Sequence, residues 1–282
     1  MYSCNIRVYL IKFLRLKQNK IFFQGELNER LKTACITDAG KLRKENEDSF
    51  CHQKLKNGLE LFAVADGMGG YNAGEVASNI AVKVVSEYCT QHIEDDVKSD
   101  DVIHILDDAI AKANKVIYDE SIKNKDYSGM GTTIVAAITN GEDMIIAHVG
   151  DSRAYILKDN SLNKLTNDHS LVAEMVRDGM ITEDEAQRHP KKNIITRALG
   201  TDENVKVDIQ KIHISMYDTV LLCTDGLSNM IEDKIIEQML IKNSDVNKCA
   251  RELVDLANKL GGRDNITVII AKQSSPDSEV KQ

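Results

Sequence analysis

Several features that mark other protein classes are missing from this sequence. The chain has 282 residues and a net charge of −8, so it lacks the basic excess that a nucleic-acid-binding surface needs. Its six cysteines form no CxxC pair and do not cluster with histidine at zinc spacing, which predicts reduced thiols in a cytoplasmic protein. It has only two prolines and no Pro- or Ser-rich linker, which favours a single core domain.

The familiar catalytic loops are absent as well. The segment Gly129–Thr133 lacks the lysine of a P-loop, and the glycine-rich segment Gly67–Gly70 does not continue into GxGxxG. No HRD or GxSxG sequence occurs, which excludes the protein-kinase and α/β-hydrolase interpretations. No cysteine begins a CxxxxxR phosphate loop, so a cysteine nucleophile for phosphate esters is disfavoured.

Five short acidic motifs, each beside glycine or asparagine, are spread along the chain. They are Asn46-Glu47-Asp48, Asp66-Gly67, Gly150-Asp151, Asp225-Gly226 and Asp264-Asn265. Most of them follow an apolar run typical of a β-strand, so their carboxylates can converge in space. Carboxylates gathered without basic partners repel one another unless they bind hard cations. Any one Asp-Gly pair is more often a plain turn, but together the motifs predict a site for Mg²⁺ or Mn²⁺.

The residues of this site suggest phosphate chemistry. Asp66 ends an apolar strand, and Gly67 has no Cβ, so its carbonyl oxygen can approach an ion. Two ions about 3.5–4 Å apart can share a water, lower its pKa and direct the resulting hydroxide at a phosphoryl group. Arg43, five residues before Asp48, can bind the phosphate oxygens in a bidentate manner.

From residue 33 onward, strand and helix patterns alternate. Strands are predicted at 33–37, 61–65, 132–139, 144–149, 153–158, 205–214, 219–224 and 266–271. Helices are predicted at about 72–89, 101–121, 171–179, 182–187, 233–242 and 246–260. Asn140-Gly141 and Asp159-Asn160 are turn dipeptides typical of antiparallel hairpins. The pattern predicts an α+β fold of stacked antiparallel sheets with helices outside.

Taken in order, the motifs resemble those of the metal-dependent PPM (type 2C) protein serine/threonine phosphatases, especially the compact bacterial ones. The resemblance runs from about Thr33 to Ala271. The matching segments are 37–48, 64–70, 129–133, 148–153, 165–170, 195–200, 222–227 and 263–267. It implies a four-layer α-β-β-α sandwich of two antiparallel sheets flanked by helix pairs, with a flap at about 167–200. The implied domain covers 31–273 and is followed by a disordered tail at 274–282.

The resemblance also implies a role for each site residue. The implied metal ligands are Asp48, Asp66, the carbonyl of Gly67, Asp151, Asp225 and Asp264. Arg43 would bind the phosphate, and Glu47 would contact metal-bound water. The implied cofactors are two Mn²⁺ or Mg²⁺ ions in the core site, with a weaker third ion between Asp151 and Asp225.

One position departs from the eukaryotic pattern of this family. Those relatives place a histidine, assigned as general acid, directly after the Asp-Gly pair, whereas this chain has Met68. Methionine cannot donate a proton, so the acid for the leaving group stays open. A metal-bound water is the first candidate, and His52 and His169 are weaker ones because a lone histidine is more often structural.

The function implied by the resemblance is direct hydrolysis of phosphoserine and phosphothreonine by a metal-bridging hydroxide, reversing a bacterial Ser/Thr kinase. The expected partners are phosphorylated proteins, namely such a kinase and its substrates. We expect a cytoplasmic monomer without nucleic acid or stable membrane insertion. An inactive binding module is disfavoured because every ligand position is filled. A phosphatase of sigma-factor control proteins is disfavoured by Arg43 and by residues 167–200.

Residues 1–30 differ from the rest of the chain. The basic and apolar stretch 5–17 is interrupted by charges, is too short to span a bilayer and has no small-residue cleavage site. We predict an extension outside the folded core. An upstream start codon, with true initiation at Leu31, is one explanation, and an amphipathic membrane-surface helix is the alternative.

Overall fold

Two antiparallel sheets form the centre of the protein. The computed structural model describes residues 20–28, 31–70, 73–216 and 218–273. The first sheet has the order β1-β2-β12-β11-β8-β9. Its strands are β1 (Lys20–Asn28), β2 (Leu31–Asp38), β8 (Arg153–Lys158), β9 (Ser161–Lys164), β11 (Thr219–Cys223) and β12 (Ile266–Gln273).

The second sheet has the order β10-β7-β6-β4-β3, and the short strand β5 pairs with the end of β4. Its strands are β3 (Asp48–Lys54), β4 (Glu60–Met68), β5 (Gly131–Thr132), β6 (Ile134–Thr139), β7 (Asp143–Val149) and β10 (Asp208–His213). The helices are α1 (Ala73–His92), α2 (Ser99–Lys123), α3 (Leu171–Arg177), α4 (Glu183–Arg188), α5 (Asp225–Ser228), α6 (Asp233–Lys242) and α7 (Val246–Lys259).

Three apolar clusters hold the layers together. The two sheets face each other through buried side chains such as Phe62, Val64 and Leu222. Helices α1 and α2 pack on the outer face of the second sheet, and α6 and α7 pack on the outer face of the first. Burial of these apolar faces is the main stabilising term of such a fold. The predicted four-layer α-β-β-α sandwich is therefore confirmed.

The predicted hairpins are present, with turn geometry that the sequence requires. Asp159 and Asn160 connect β8 to β9, and both have positive φ, at 52° and 59°. Two consecutive positive values are typical of the type I′ turn, which aspartate and asparagine tolerate better than most residues. Asn140-Gly141 joins β6 to β7 in the same sheet.

Four elements were not predicted from the sequence: β1, β3, β9 and the single turn α5. The three strands are all at sheet edges, where one side of the strand is solvated and the apolar signal is weak. Strand β1 lies within the predicted extension and runs antiparallel to β2, with the backbone of Lys20 opposite that of Asp38 and the backbone of Glu26 opposite that of Lys32. The stretch 5–17, for which a membrane-surface helix was the alternative interpretation, and the predicted tail at 274–282 lie outside the described residues.

The predicted flap segment, 167–200, contains the two short helices α3 and α4. Thr182 caps α4 in a reciprocal capping box with Glu185, which fixes the helix start. A β-bridge between Ser170 and Ile195 closes the segment on itself, and a β-bridge between Thr132 and Leu199 attaches it to β5.

Within the described part of the chain, no helix is both long enough and apolar enough to cross a bilayer.

Candidate metal centre

The centre is built where the two sheets meet at one end of the sandwich. Asp48 opens β3 and lies directly opposite Asp66 on the neighbouring strand β4. Opposed residues of an antiparallel pair point to the same face with Cα atoms about 4.5–5.5 Å apart. The strand register therefore places two carboxylates side by side, although they are far apart in sequence.

The Asp48 carboxylate is buried, and only one of its two oxygens has hydrogen-bond partners. Its Oδ2 accepts hydrogen bonds from the hydroxyls of Thr224, at 2.9 Å, and Thr267, at 2.7 Å. Its Oδ1 is buried and has no hydrogen-bond partner. Burial raises the pKa of Asp48 to about 7, with Asp225 and Asp264 contributing further repulsion. The unpaired oxygen therefore suits a cation better than another hydrogen-bond donor.

Asp225 and Asp264 approach Asp48 and Asp66 from the first sheet, where Asp225 follows β11 and Asp264 precedes β12. Asp225 begins α5 directly after β11, and its carboxylate lies beside that of Asp66. Two carboxylates in such contact must share a proton or a cation. Burial, together with the neighbouring carboxylates, raises the pKa of Asp66 and of Asp225. Four of the predicted ligands are thus brought together by both sheets.

Asp151 lies beside this group on the turn between β7 and β8. It is buried, and its Oδ1 has no hydrogen-bond partner. Burial raises its pKa to about 7, and repulsion from Asp225 and Asp168 adds to the shift. Gly150 precedes it with φ of +109°, and a Cβ there would lie 2.6 Å from the Thr133 side chain. Only glycine allows this turn to sit so close to β6.

Gly67 is enclosed by backbone on two sides. A Cβ at this position would lie 2.1 Å from the carbonyl oxygen of Gly74 and 2.6 Å from that of Glu47. The missing side chain lets the start of α1 approach the end of β4. Unpaired buried carboxylate oxygens, raised pKa values and an all-oxygen donor set together fit hard divalent cations, which are the ions predicted from the sequence.

Arg43 and Glu47 lie at the edge of the carboxylate group. The Arg43 guanidinium donates from Nη2 to Asp264 Oδ2 at 2.8 Å, and its side chain is 51% exposed. Burial raises the pKa of Glu47, whose carboxylate lies beside Gly74 at the start of α1. Both residues are thus near the predicted ligands, with Arg43 on the solvent side.

Three uncharged residues of the centre were not predicted. Thr224 and Thr267 hold Asp48, and Asn265 anchors the 39–47 loop. The Asn265 Oδ1 accepts from Glu47 N at 2.8 Å, and its Nδ2 donates to the carbonyls of Ala39 and Glu45 at 3.0 and 2.9 Å. All three flank the acidic motifs, and this position beside Asp225 and Asp264 is the sequence signal that could have identified them.

Asn265→Ala is expected to destabilise the protein by about 2–4 kcal/mol, because three hydrogen bonds are lost and buried backbone groups are left unpaired. Urea denaturation of wild type and variant measures this difference. Asn163→Ala is the control, since its amide makes one exposed bond in the β8–β9 hairpin. Equal losses in the two variants would contradict the role of Asn265 as an anchor.

The two histidine candidates for proton donation are held in other contacts. His52 is buried on β3, where its Nε2 lies 2.8 Å from Glu60 Oε2 and its ring stacks on Phe62. His169 Nδ1 accepts a hydrogen bond from the Gly150 backbone at 3.0 Å. Burial lowers the pKa of His169 to about 4, so the ring is neutral at physiological pH.

His169 also belongs to a cluster with His148 and Asp208, whose ligand atoms lie within 4.8 Å of one another. Arg197 already supplies a cation there, because its Nη1 lies 2.8 Å from Asp208 Oδ1 and 2.9 Å from His169 Nε2. The two imidazole rings stack 4.7 Å apart, an arrangement that does not direct both ring planes at one ion. The cluster ties the flap to β7 and β10.

Most of the chain is similar to known phosphatases. It matches the model of the Protein phosphatase 2C family over residues 42–263. The serine/threonine phosphatase stp of Listeria welshimeri is 41% identical over 240 residues, covering 84% of this chain and 94% of that protein. The serine/threonine protein phosphatase PstP of Mycobacterium tuberculosis is 37% identical over 241 residues, covering 86% of this chain and 45% of that protein.

Solved structures agree in fold. The crystal structure of Stp1 from Staphylococcus aureus superimposes with a TM-score of 0.83 at 33% identity, covering 90% of this chain and 100% of that one. The catalytic domain of PstP in complex with 2 manganese ions superimposes with a TM-score of 0.77 at 34% identity, covering 87% of this chain and 99% of that one.

Proposed function

The chain belongs to the protein phosphatase 2C family of metal-dependent phosphatases, and from that premise we propose that it hydrolyses phosphoserine and phosphothreonine in proteins. The observation that carries the proposal is the convergence of Asp48, Asp66, Asp225 and Asp264, with a buried and unpaired oxygen on Asp48. When ionised, these carboxylates repel one another unless cations lie among them.

The proposed ligands are those predicted from the sequence. Asp48, Asp66, the carbonyl of Gly67, Asp225 and Asp264 would hold two Mn²⁺ or Mg²⁺ ions. Asp151, whose Oδ1 is also unpaired, would hold a weaker third ion together with Asp225. When bound, the ions supply an activated water for attack on phosphorus. The enzyme then needs no phosphorylated intermediate on the protein.

The chain's own residues would place the phosphate and the water. Arg43 is half-exposed beside Asp264, and its guanidinium can form two parallel hydrogen bonds to phosphate oxygens. Glu47 faces the same space from the loop anchored by Asn265. Met68 carries no titratable proton, and His52 and His169 are held in other contacts. We therefore assign the proton for the leaving group to solvent in the centre.

Arg43→Ala is expected to lower kcat/KM on phosphopeptides by about 10- to 100-fold, because charge-assisted hydrogen bonds to the phosphate are lost. Arg43→Lys should recover only part of this, since an ammonium cannot form the bidentate pair. Lys44→Ala removes an exposed cation from the same loop and is the matched control. Equal kcat/KM values for Arg43→Ala and Lys44→Ala would exclude a phosphate contact by Arg43.

The proposed biological role is to reverse a bacterial serine/threonine kinase, acting on that kinase and on its substrates. It is supported by similarity to bacterial proteins named as serine/threonine phosphatases. We assign this activity to residues 31–273, with the flap at about 167–200. Phosphoproteomics of a strain lacking the gene tests the role. Phosphoserine and phosphothreonine sites should rise in that strain, and an unchanged set of sites would contradict it.

A further inference from the structure

A groove of about 1000 Å³ lies beside the metal centre, on the outer side of the second sheet. One wall is the exposed side of α1, and the other is the 125–128 turn that follows α2. The residues that matter for its chemistry are Gly70, Val76, Ile80, Lys83, Lys125 and Tyr127. None of them has been given a role in the centre described above.

Both walls of the groove lead into the metal centre. Helix α1 begins at Ala73, soon after the Asp66–Gly70 segment, and Gly70 itself lines the groove. The opposite wall continues from Ser128 into Gly131, which pairs with Met68 at the end of β4. When the phosphorylated residue of a substrate lies in the metal centre, the substrate residues next to it in sequence therefore lie at the groove.

The groove changes in chemistry along its length. Glu75 lines the end next to the centre, and half-buried Val76, Ile80 and Tyr127 form an apolar middle. Lys83 and Lys125 line the groove as well, with Lys83 two helical turns beyond Glu75. Helix α1 packs against Gly67 of the centre at Gly74, and its rise from Gly74 to Lys83 is about 13–14 Å, which an extended peptide covers in about four residues.

The charges at the far end favour an acidic partner. Lys83 pairs only loosely with Glu87, at 4.0 Å between two exposed side chains, so its charge remains available. Asp126 lies on the wall beside Lys125 and offsets part of that charge. Glu75 at the near end disfavours an acidic residue immediately beside the phosphorylated one. The groove therefore favours a peptide whose acidic residue lies away from the phosphorylated one, toward Lys83 and Lys125.

We propose that this groove binds the polypeptide segment next to the phosphorylated residue of the substrate. An apolar side chain would lie against Val76, Ile80 and Tyr127. An acidic side chain, about four residues from the phosphorylated one, would lie near Lys83 and Lys125. This inference rests on the proposed function, because it names a class of phosphoprotein substrate for the same centre.

The test compares two phosphothreonine peptides that carry either Glu or Lys at the position four residues from the phosphothreonine. Each pair is prepared twice, with the substitution before or after the phosphothreonine. Wild type should prefer the Glu peptide on one side. Lys83→Glu combined with Lys125→Glu should lower kcat/KM for that peptide by about tenfold, since two exposed ion pairs become repulsive. Hydrolysis of p-nitrophenyl phosphate, which does not reach the groove, should stay unchanged.

Lys242→Glu on α6, outside the other sheet, is the matched control and should behave as wild type on every substrate. Equal peptide kcat/KM values for the double variant and the control would overturn the groove assignment while leaving the phosphatase function intact. Failure of wild type to hydrolyse p-nitrophenyl phosphate with Mn²⁺ would instead overturn the proposed function, and the groove's role with it.

Discussion

Asp66→Asn is expected to reduce turnover by about a thousandfold or more. A metal site contributes several kcal/mol to transition-state stabilisation, and about 1.4 kcal/mol corresponds to a tenfold change in rate. Asp66 is the residue that interacts with each of the other four carboxylates of the centre, because Asp48, Asp225, Asp151 and Asp264 all raise its pKa. An amide there removes both a charge and a ligand.

The same substitution should stabilise the metal-free protein. Carboxylates that repel one another destabilise the folded state, so an uncharged amide of similar shape relieves that repulsion. Without metal, Asp66→Asn should therefore melt above wild type while it is nearly inactive with Mn²⁺. Asp159→Asn in the β8–β9 turn is the control, and it should retain activity. Wild-type turnover in both Asp66→Asn and Asp225→Asn would exclude these two residues from the catalytic metal site.

In EDTA, the free energy of unfolding is expected to fall by about 1 to 2 kcal/mol between pH 6.5 and pH 8, and activity should be lost. The pKa values of Asp48 and Asp151 are raised to about 7 in the folded protein. In the unfolded chain they are near 3.9. A group with a raised folded pKa stabilises the protein below its unfolded pKa, and this contribution is lost as pH rises through the folded pKa.

Groups that oppose this fall contribute little above pH 6.5. The pKa of His169 is lowered to about 4, so this histidine makes stability rise with pH, mostly below its unfolded pKa near 6.5 and by only a few tenths of a kcal/mol above it. Asp168, whose pKa is lowered beside Arg153, acts only at acidic pH. Buried cysteines, whose pKa values are raised by burial, add to the fall near pH 8 with or without metal. The part of the fall that Mn²⁺ removes therefore reports the carboxylate centre.

Mn²⁺ should cancel the fall and restore activity, because binding favours the deprotonated carboxylates. Urea denaturation across this pH range, in EDTA and in Mn²⁺, measures both effects. Asp66→Asn should flatten the slope in EDTA. If wild type in EDTA gained stability from pH 6.5 to pH 8, the raised pKa values of Asp48 and Asp151 would be wrong.

The sequence was sufficient to predict much of the fold, because buried strands have continuous apolar runs and the long helices have clear periodicity. Edge strands were missed because they lack such continuous apolar runs. Strand β3 reads Asp-Ser-Phe-Cys-His-Gln-Lys, with one solvated side and little apolar alternation, and β9 is mostly polar. The break at Thr133 between β5 and β6 depends on its bond to Asp66 rather than on local pattern.

The acidic residues of the centre were predictable because their motifs end strands or begin the loops beside them. The residues that hold these carboxylates in place could not be predicted, because their contacts depend on strand register. Thr224 and Thr267 meet at Asp48 only because β11 and β12 are paired neighbours. The contact of Arg43 with Asp264 and the groove along α1 likewise depend on how distant segments pack. No local sequence pattern encodes either.

Metal content after equilibrium dialysis tests the central claim most directly. We predict that wild type retains about two Mn²⁺ per chain, that Asp66→Asn and Asp225→Asn retain less than one, and that Asp159→Asn matches wild type. The readout does not depend on finding the correct substrate. Equal Mn²⁺ content in wild type, Asp66→Asn and Asp225→Asn would show that the carboxylates gathered here do not hold the metal.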